Sequence, residues 1–582
     1  VVERLPGIDV RTEIHAYGGG AYAVDGARLL YTDAKDQRLY VIQGDAPARV
    51  VTPPGKAWHA GCVIDDRLDR AFCVREDATA TGLPVDSIVS VDLRGETRPV
   101  PIVTGNDFYA QLRISPDGRT LSWLSWALPN MPWIGTDLWV AEIADDGVVG
   151  AATQVAGGPS ESINQPEWSA DGDLYFVSDR TGYWNLYRRH AGAIEAMWPL
   201  EAELGQAAWT LDDRGFGFAS ATEIVAAITV RGQTELRVFD IGTRKARPLA
   251  PGYTVAQSVR AGNGHALAIV ASPSEPLTLV DIDVARGTTQ VLARATDAKL
   301  DAGLIPRSEQ ITYPTAAGDG YAVFYPPASS TVRVATGERP PLIVHVHGGP
   351  TGQAWHRLDP EVVFFTSRGF AVVKVDHGGS TGYGRRYRER LNGQWGVVDV
   401  DDSIAAAKAL VARGLVDAKR IVIRGGSAGG FTTLSALAFR TFFRAGASYY
   451  GISDLARLQI EGAESDKFES QYMRHLIGPY PDRKDLYVAR SPLFAAAKIT
   501  APVIFFQGAD DPVVLPNQSQ LMHEAVKANK LPTAFLEFEG EKHGFRRATS
   551  KARALEAELY FYQRVLGIPT TGAPPIVIDN LP

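Results

Sequence analysis

From Val1 to about Arg294 the chain is a succession of short strand-like runs, repeated with a unit of roughly forty to fifty residues and without intervening helices. AYAVDGARLLYTDAKDQRLYVI forms one unit, CVIDDRLDRAFCV with SIVSVDL the next, and LRISPDGRTLSWLSW with DLWVAEI a third. PEWSADGDLYFVSDRTGYWNLYRR, AAWTLDDRGFGFAS with ELRVFDI, and GHALAIVASPSEPLTLVDID bring the number to six. Ser115-Pro116-Asp117-Gly118 and Ser169-Ala170-Asp171-Gly172 hold the same place in their units, each with Asp-Gly where a tight hairpin needs positive φ. Strands this short cannot bury their faces alone, so the units must stack radially or as a sandwich, and the regular period selects a β-propeller.

The pattern changes after a weakly apolar crossover. Ile311–Pro327 reads as an opening antiparallel hairpin, and the polar VRVATGERPP loop follows. LIVHV, FAVVKV, IVIRG, PVIFFQG and AFLEFEG then alternate with helical patterns: PEVVFFTSRG, DDSIAAAKALVARG, the segment from Phe431, LMHEAVKANK and ALEAELYFYQRVLG. Strands alternating with helices predict a parallel sheet covered on both faces, with function at the carboxyl ends of its strands. The expected domains are residues 1–300 and 301–582.

Within this second domain, Ile421-Val422-Ile423 is a buried-type strand running into Gly425-Gly426-Ser427-Ala428-Gly429, which fits G-x-S-x-G, and then into an apolar helix. Strand, sharp glycine-flanked turn and helix are the context of a nucleophile elbow carrying Ser427. Acyl transfer by serine needs a base to take the hydroxyl proton and an acid to orient that base. In hydrolases built this way they follow the serine in the order Asp or Glu, then His. Asp510 and Asp511 follow the fourth parallel strand and His543 the fifth, at strand ends and in that order. The negative oxygen of the intermediate needs preorganised donors. The Ala428 N–H is one, and the loop His347-Gly348-Gly349-Pro350 is the place to look for another.

HVHGGP, GGSTGYGRRYRERLNGQWG, GGSAGG, GADDPVV and EKHGF together resemble the prolyl oligopeptidase family of serine peptidases, in its branch of acylaminoacyl peptidases and dipeptidyl-peptidase-like aminopeptidases. The resemblance implies an N-terminal β-propeller of six to seven blades and a C-terminal α/β-hydrolase domain. Seven blades are usual in the family, so a blade missing before Val1 is one expectation. The resemblance also implies Ser427 as nucleophile, His543 as base, Asp510 as acid with Asp511 as fallback, and Gly349 and Ala428 as oxyanion donors. Phe468 falls where relatives line the specificity pocket, and Glu161, Glu461 and Glu464 are candidates for holding a substrate ammonium. Pro512 replaces an Arg or Asn that several relatives use on the substrate carbonyl, and it offers no such donor. The implied activity is removal of apolar or aromatic N-terminal residues from short peptides or from aminoacyl amides such as puromycin. An acylaminoacyl peptidase and a carboxylesterase using the same triad are the alternatives.

Composition excludes other classes. A net charge of −7 over 582 residues, with no long basic block, argues against a nucleic-acid partner. No apolar run approaches the roughly 20 residues that span a bilayer. Cys62 and Cys73 are too few for a disulfide framework and lack the histidines of a zinc site, so buried free thiols are expected, with no metal and no cofactor. VVERLPGIDV lacks a signal peptide's basic start and apolar core, so the expectation is a cytoplasmic protein, although the chain begins with Val rather than Met.

Overall fold

Six four-stranded antiparallel sheets follow one another along the first half of the chain, each with its strands in sequential order. They begin at Tyr22–Asp25, Ala57–Asp65, Phe108–Ile114, Ile163–Trp168, Phe216–Phe218 and Val255–Gly262, and the sixth ends at Thr289–Arg294. The computed structural model describes residues 5–79, 82–331, 335, 337–462 and 467–581, the side chains of 461 and 462 excepted. Among these residues the sheets form a six-bladed β-propeller and not a seven-bladed one. Apolar faces of neighbouring blades pack together. Leu30, Leu39 and Val41 of the first blade meet Ala71, Val89 and Val91 of the second, and Val225, Leu236 and Val238 of the fifth meet Ala268, Val270 and Val280 of the sixth. The two Asp-Gly turns are alike in detail: the Gly118 N–H donates to Ser115 O at 2.8 Å and the Gly172 N–H to Ser169 O at 3.0 Å, with φ of 72° and 85°.

The second blade corrects the reading of the cysteines. Cys62 and Cys73 form a disulfide between the neighbouring strands Ala57–Asp65 and Arg70–Asp77. A bulge between Ala60 and Val63 turns Cys62 toward Cys73, which strict two-residue alternation along the hairpin would not have indicated.

The chain divides into two units. The first comprises residues 1–270, 278–294 and the short segment ending at Tyr472; the second holds 271–277, 295–465 and 473–582. The second unit is built on one eight-stranded sheet in the order Glu309–Thr315, Gly318–Tyr325, Ala371–Asp376, Leu342–Val346, Ile421–Gly426, Gly446–Tyr449, Val503–Gly508, Thr533–Phe538. The opening hairpin is antiparallel and the last six strands are parallel. Alternate residues face opposite layers. Leu342, Val344 and Val346 pack with the helices Val398–Ala412, Ala428–Phe439 and Asn517–Ala528, whereas Ile343, Val372 and Val422 pack with Pro360–Thr366 and Ala548–Val565. This is an α/β-hydrolase sheet. No helix among the described residues is long and apolar enough to cross a membrane.

Several histidines are buried and must gain protons when the chain unfolds in acid. His59 is 4 % exposed, and neither ring nitrogen has a hydrogen-bond partner. Burial, reinforced by the Arg75 guanidinium, pushes it down to about 3. Burial also pushes His356 down to about 4. A folded-state value below the unfolded one means that the unfolded chain binds the proton first. The cost is therefore absent above about pH 6.5 and grows by about 1.4 kcal/mol per pH unit for each such histidine as pH falls toward the folded value. His59→Phe is expected to flatten the fall of Tm between pH 6.5 and 4.5. A parallel fall in both proteins, measured by calorimetry at matched ionic strength, refutes the assignment.

Candidate active site

The strand Ile421–Gly426 ends in Ser427, which takes φ 55° and ψ −120° before the helix Ala428–Phe439 begins. Positive φ on a non-glycine residue is the strained turn expected of an elbow. Its flanks tolerate only glycine: a Cβ on Gly425 would lie 2.4 Å from the Gly429 carbonyl, and one on Gly429 would lie 2.3 Å from Val346 O. The Ser427 N–H donates to Tyr449 O at 2.9 Å, and its carbonyl accepts the helix's first bond from Phe431 N–H at 3.0 Å. Ser427 is thus fixed at the carboxyl end of the central strand with its side chain partly exposed.

Two neighbouring strand ends supply the imidazole and the carboxylate. His543 Nδ1 lies 2.8 Å from Asp511 Oδ2. Asp511, 2 % exposed, also accepts from the Val513 and Val514 N–H groups at 2.9 and 3.0 Å through Oδ1. This corrects the choice of acid. Asp510 is exposed, and its backbone N–H donates to Glu541 O at 3.0 Å, so that residue ties the two loops together. Consecutive residues in a turn point in different directions, and only Asp511 is directed inward. The His543 loop is anchored by Glu541, whose carboxylate accepts from the Arg546 and Arg547 N–H groups at 2.8 and 3.0 Å. His543 Nε2 makes no hydrogen bond among the described residues.

Tyr450 links the two halves of this arrangement. Its ring lies 4.9 Å from the His543 ring, and its Cε2 would be 2.9 Å from a Cβ on Gly426, so it packs against both the elbow and the imidazole. Burial pushes the phenol up to about 12, which keeps it a neutral O–H. Sequence reading missed it because GASY, the strand before it, is short and lacks the β-branched run that marked its neighbours.

The second glycine loop passes over the elbow. A Cβ on Gly348 would sit 3.6 Å from Ser427 Cβ and 3.2 Å from Gly426 O, and Gly349 takes φ 121°, a conformation open to glycine. Gly348 thus lies against the Ser427 turn, with Gly349 next to it in the loop and Ala428 next to Ser427 in the elbow.

Of the expected substrate-binding residues, Phe468 and Glu161 lie in the first unit. Phe468 is 2 % exposed and belongs to the segment that joins the first unit, where its ring lies 5.7 Å from Phe108 and 5.9 Å from Tyr17. Glu161 is committed within its own blade, accepting from Arg180 at 2.7 Å and from Ser178 Oγ at 2.6 Å. Glu464 and the Glu461 side chain lie outside the described residues. Among the described residues one group, His15, Glu76 and Asp86, brings potential metal-ligand atoms within 4.8 Å of one another. There Lys467 Nζ pairs with Asp86 Oδ1 at 2.8 Å.

Comparison with known proteins bears on what such a site does. The model of the prolyl oligopeptidase family matches residues 342–569. The structure of a puromycin-hydrolyzing peptidase of Mycobacterium tuberculosis is similar to the whole chain: TM-score 0.94 and 37% identity, covering 99% of this chain and 90% of that one. A puromycin hydrolase structure matches with TM-score 0.93 and 35% identity, over the same shares of the two chains. Dipeptidyl aminopeptidase BIII of Pseudoxanthomonas mexicana is 33% identical over 210 residues, which is 36% of this chain and 30% of that protein. The chain thus spans less than a third of the length of such curated relatives in the matched region.

Proposed function

Because the chain belongs to the prolyl oligopeptidase family, we propose that it is a serine aminopeptidase cleaving the amide bond after an apolar or aromatic N-terminal residue, in short peptides or in peptide-like amides such as puromycin. The observation that carries the reading is the His543–Asp511 pair, set at strand ends beside the Ser427 elbow. Ser427 Oγ attacks the carbonyl while His543 Nε2 takes its proton, and Asp511 holds the Nδ1–H and stabilises the imidazolium. The Gly349 and Ala428 N–H groups receive the charge on the carbonyl oxygen. The imidazolium then gives its proton to the leaving amine, and water, activated by the same imidazole, hydrolyses the acyl-enzyme.

The relatives named for puromycin support the choice of aminoacyl amides as substrates. Glu161, paired with Arg180, and Phe468, packed against Phe108, stay candidates for contacting the substrate's amino end and side chain. The Cys62–Cys73 bridge favours an oxidising compartment over the cytoplasm.

A panel of matched substrates tests the reading. Free aminoacyl anilides are expected to exceed their N-acetyl counterparts in kcat/KM by at least about 100-fold, the scale of a site's buried polar group left without its partner. Preference for the acylated series makes the chain an acylaminoacyl peptidase, and preference for simple acyl esters over both makes it an esterase.

A further inference from the structure

A glycine donor has to be aimed by its surroundings, because glycine restrains its own backbone least of all residues. The Gly348–Gly349 peptide is trans, so its C=O and N–H point in opposite directions. Whatever holds the Gly348 carbonyl therefore directs the Gly349 N–H. The holder is the residue just before: His347 Nδ1 lies 2.8 Å from Gly348 O. The other ring nitrogen, Nε2, lies 2.8 Å from Ser380 Oγ, in the loop that follows the adjacent strand Ala371–Asp376.

The protonation state decides which way these bonds run. Burial, with His377 stacked at 4.7 Å, pushes His347 down to about 3, so at working pH the ring is neutral and carries a single N–H. A carbonyl only accepts. Nδ1 must carry the hydrogen, and Nε2 is left as an acceptor for the Ser380 hydroxyl. The other groups around the ring are engaged. Asp376 is 4.0 Å from Nε2, and its two oxygens accept from Ala354 N–H and Tyr383 O–H, each at 2.6 Å. Lys374 pairs with Asp359 at 2.9 Å, and His377 Nδ1 faces Gly378 O at 2.9 Å. The two loops are further tied by the Thr381 N–H, which donates to Gly352 O at 2.7 Å.

We propose that Ser380 and His347 form a two-bond lock, in which the Ser380 hydroxyl anchors the His347 ring at Nε2 and the Nδ1–H fixes the Gly348–Gly349 peptide plane, making both positioning residues for the oxyanion donor. The inference rests on the reading of Gly349 as that donor. Without the Ser380 hydroxyl, Nε2 loses its donor and the ring its outer anchor, so the Nδ1–H no longer holds the Gly348 carbonyl in one direction.

The test compares Ser380→Ala and Ser380→Cys with wild type on an aminoacyl anilide. Cysteine keeps the volume and is a weak donor, so a role in packing alone leaves it near wild type. Both variants are expected to lose about 10- to 100-fold in kcat, up to the lower end of the roughly 100- to 1,000-fold cost of removing an oxyanion donor outright, with KM within about twofold. Binding of an aminoacyl boronic acid, which mimics the tetrahedral intermediate, should weaken by the same factor as kcat, while Tm stays within a few degrees. Wild-type kcat in Ser380→Cys, or a fall in KM affinity equal to the fall in kcat, overturns the lock. Should Ser380→Ala fail to fold, the cysteine variant alone decides. The underlying serine-peptidase reading is checked separately: Ser427→Ala that retains activity sinks that reading, whereas an inactive Ser427→Ala beside an unaffected Ser380→Cys sinks the lock alone.

Discussion

Asp511→Asn is expected to lower kcat about 10³- to 10⁴-fold, the cost of holding a catalytic histidine in the wrong tautomer, while Asp510→Asn stays within about threefold of wild type. The asymmetry follows from where the two side chains go. Asp511 Oδ2 receives the His543 Nδ1–H, and its Oδ1 is held by two backbone N–H groups. In the asparagine variant the amide oxygen keeps the backbone bonds, so the loop stays folded. The amide nitrogen then faces Nδ1 and can only donate. That forces the imidazole hydrogen onto Nε2, the position that must accept the serine proton, and the base is disabled without any change of shape. Asp510 has no such contact and is exposed. Steady-state kinetics on one aminoacyl anilide, with Tm as a control for folding, read the result. Equal effects at the two positions, or a larger one at Asp510, refute the pairing.

The elbow was legible in the sequence because its requirements are local. A β-branched run, two glycines on either side of the Ser427-Ala428 pair, and an apolar helix all fall within one short stretch, and the close approaches at Gly425 and Gly429 explain why those residues are glycine. The blades were legible for a similar reason, since a period of strands and Asp-Gly turns is a local pattern repeated. What escaped depends on directions and distant neighbours. Asp510 and Asp511 are equivalent in a sequence, and only the turn decides which one points inward. The Cys62–Cys73 bridge depends on a bulge that two-residue alternation hides. The segment carrying Phe468 joins the first unit, although the chain on both sides of it belongs to the second, and nothing in ESDKFES marks that exchange. Glu161 read as a free acid because Arg180, its partner, comes 19 residues later across a hairpin.

Ser427→Ala is expected to abolish turnover, with kcat falling by at least about 10⁴-fold and what remains coming from binding and the oxyanion donors. Substrate affinity should change little, because the hydroxyl makes no hydrogen bond among the described residues that substrate binding would have to break. Stability is expected to hold or to rise slightly. The backbone bonds that fix the turn, to Tyr449 O and from Phe431 N–H, use main-chain atoms that alanine retains. The left-handed φ of 55° is no worse for alanine than for serine, so the strain stored at the elbow is unchanged, and Ser427→Gly should relieve it and raise Tm further. A fluorophosphonate probe separates this outcome from a mere loss of folding. Wild type should be labelled once per chain, Asp511→Asn much more slowly, and Ser427→Ala not at all. Labelling that survives in Ser427→Ala would place the nucleophile elsewhere, and an unlabelled wild type would leave the elbow as a structural turn, with function to be sought in the propeller.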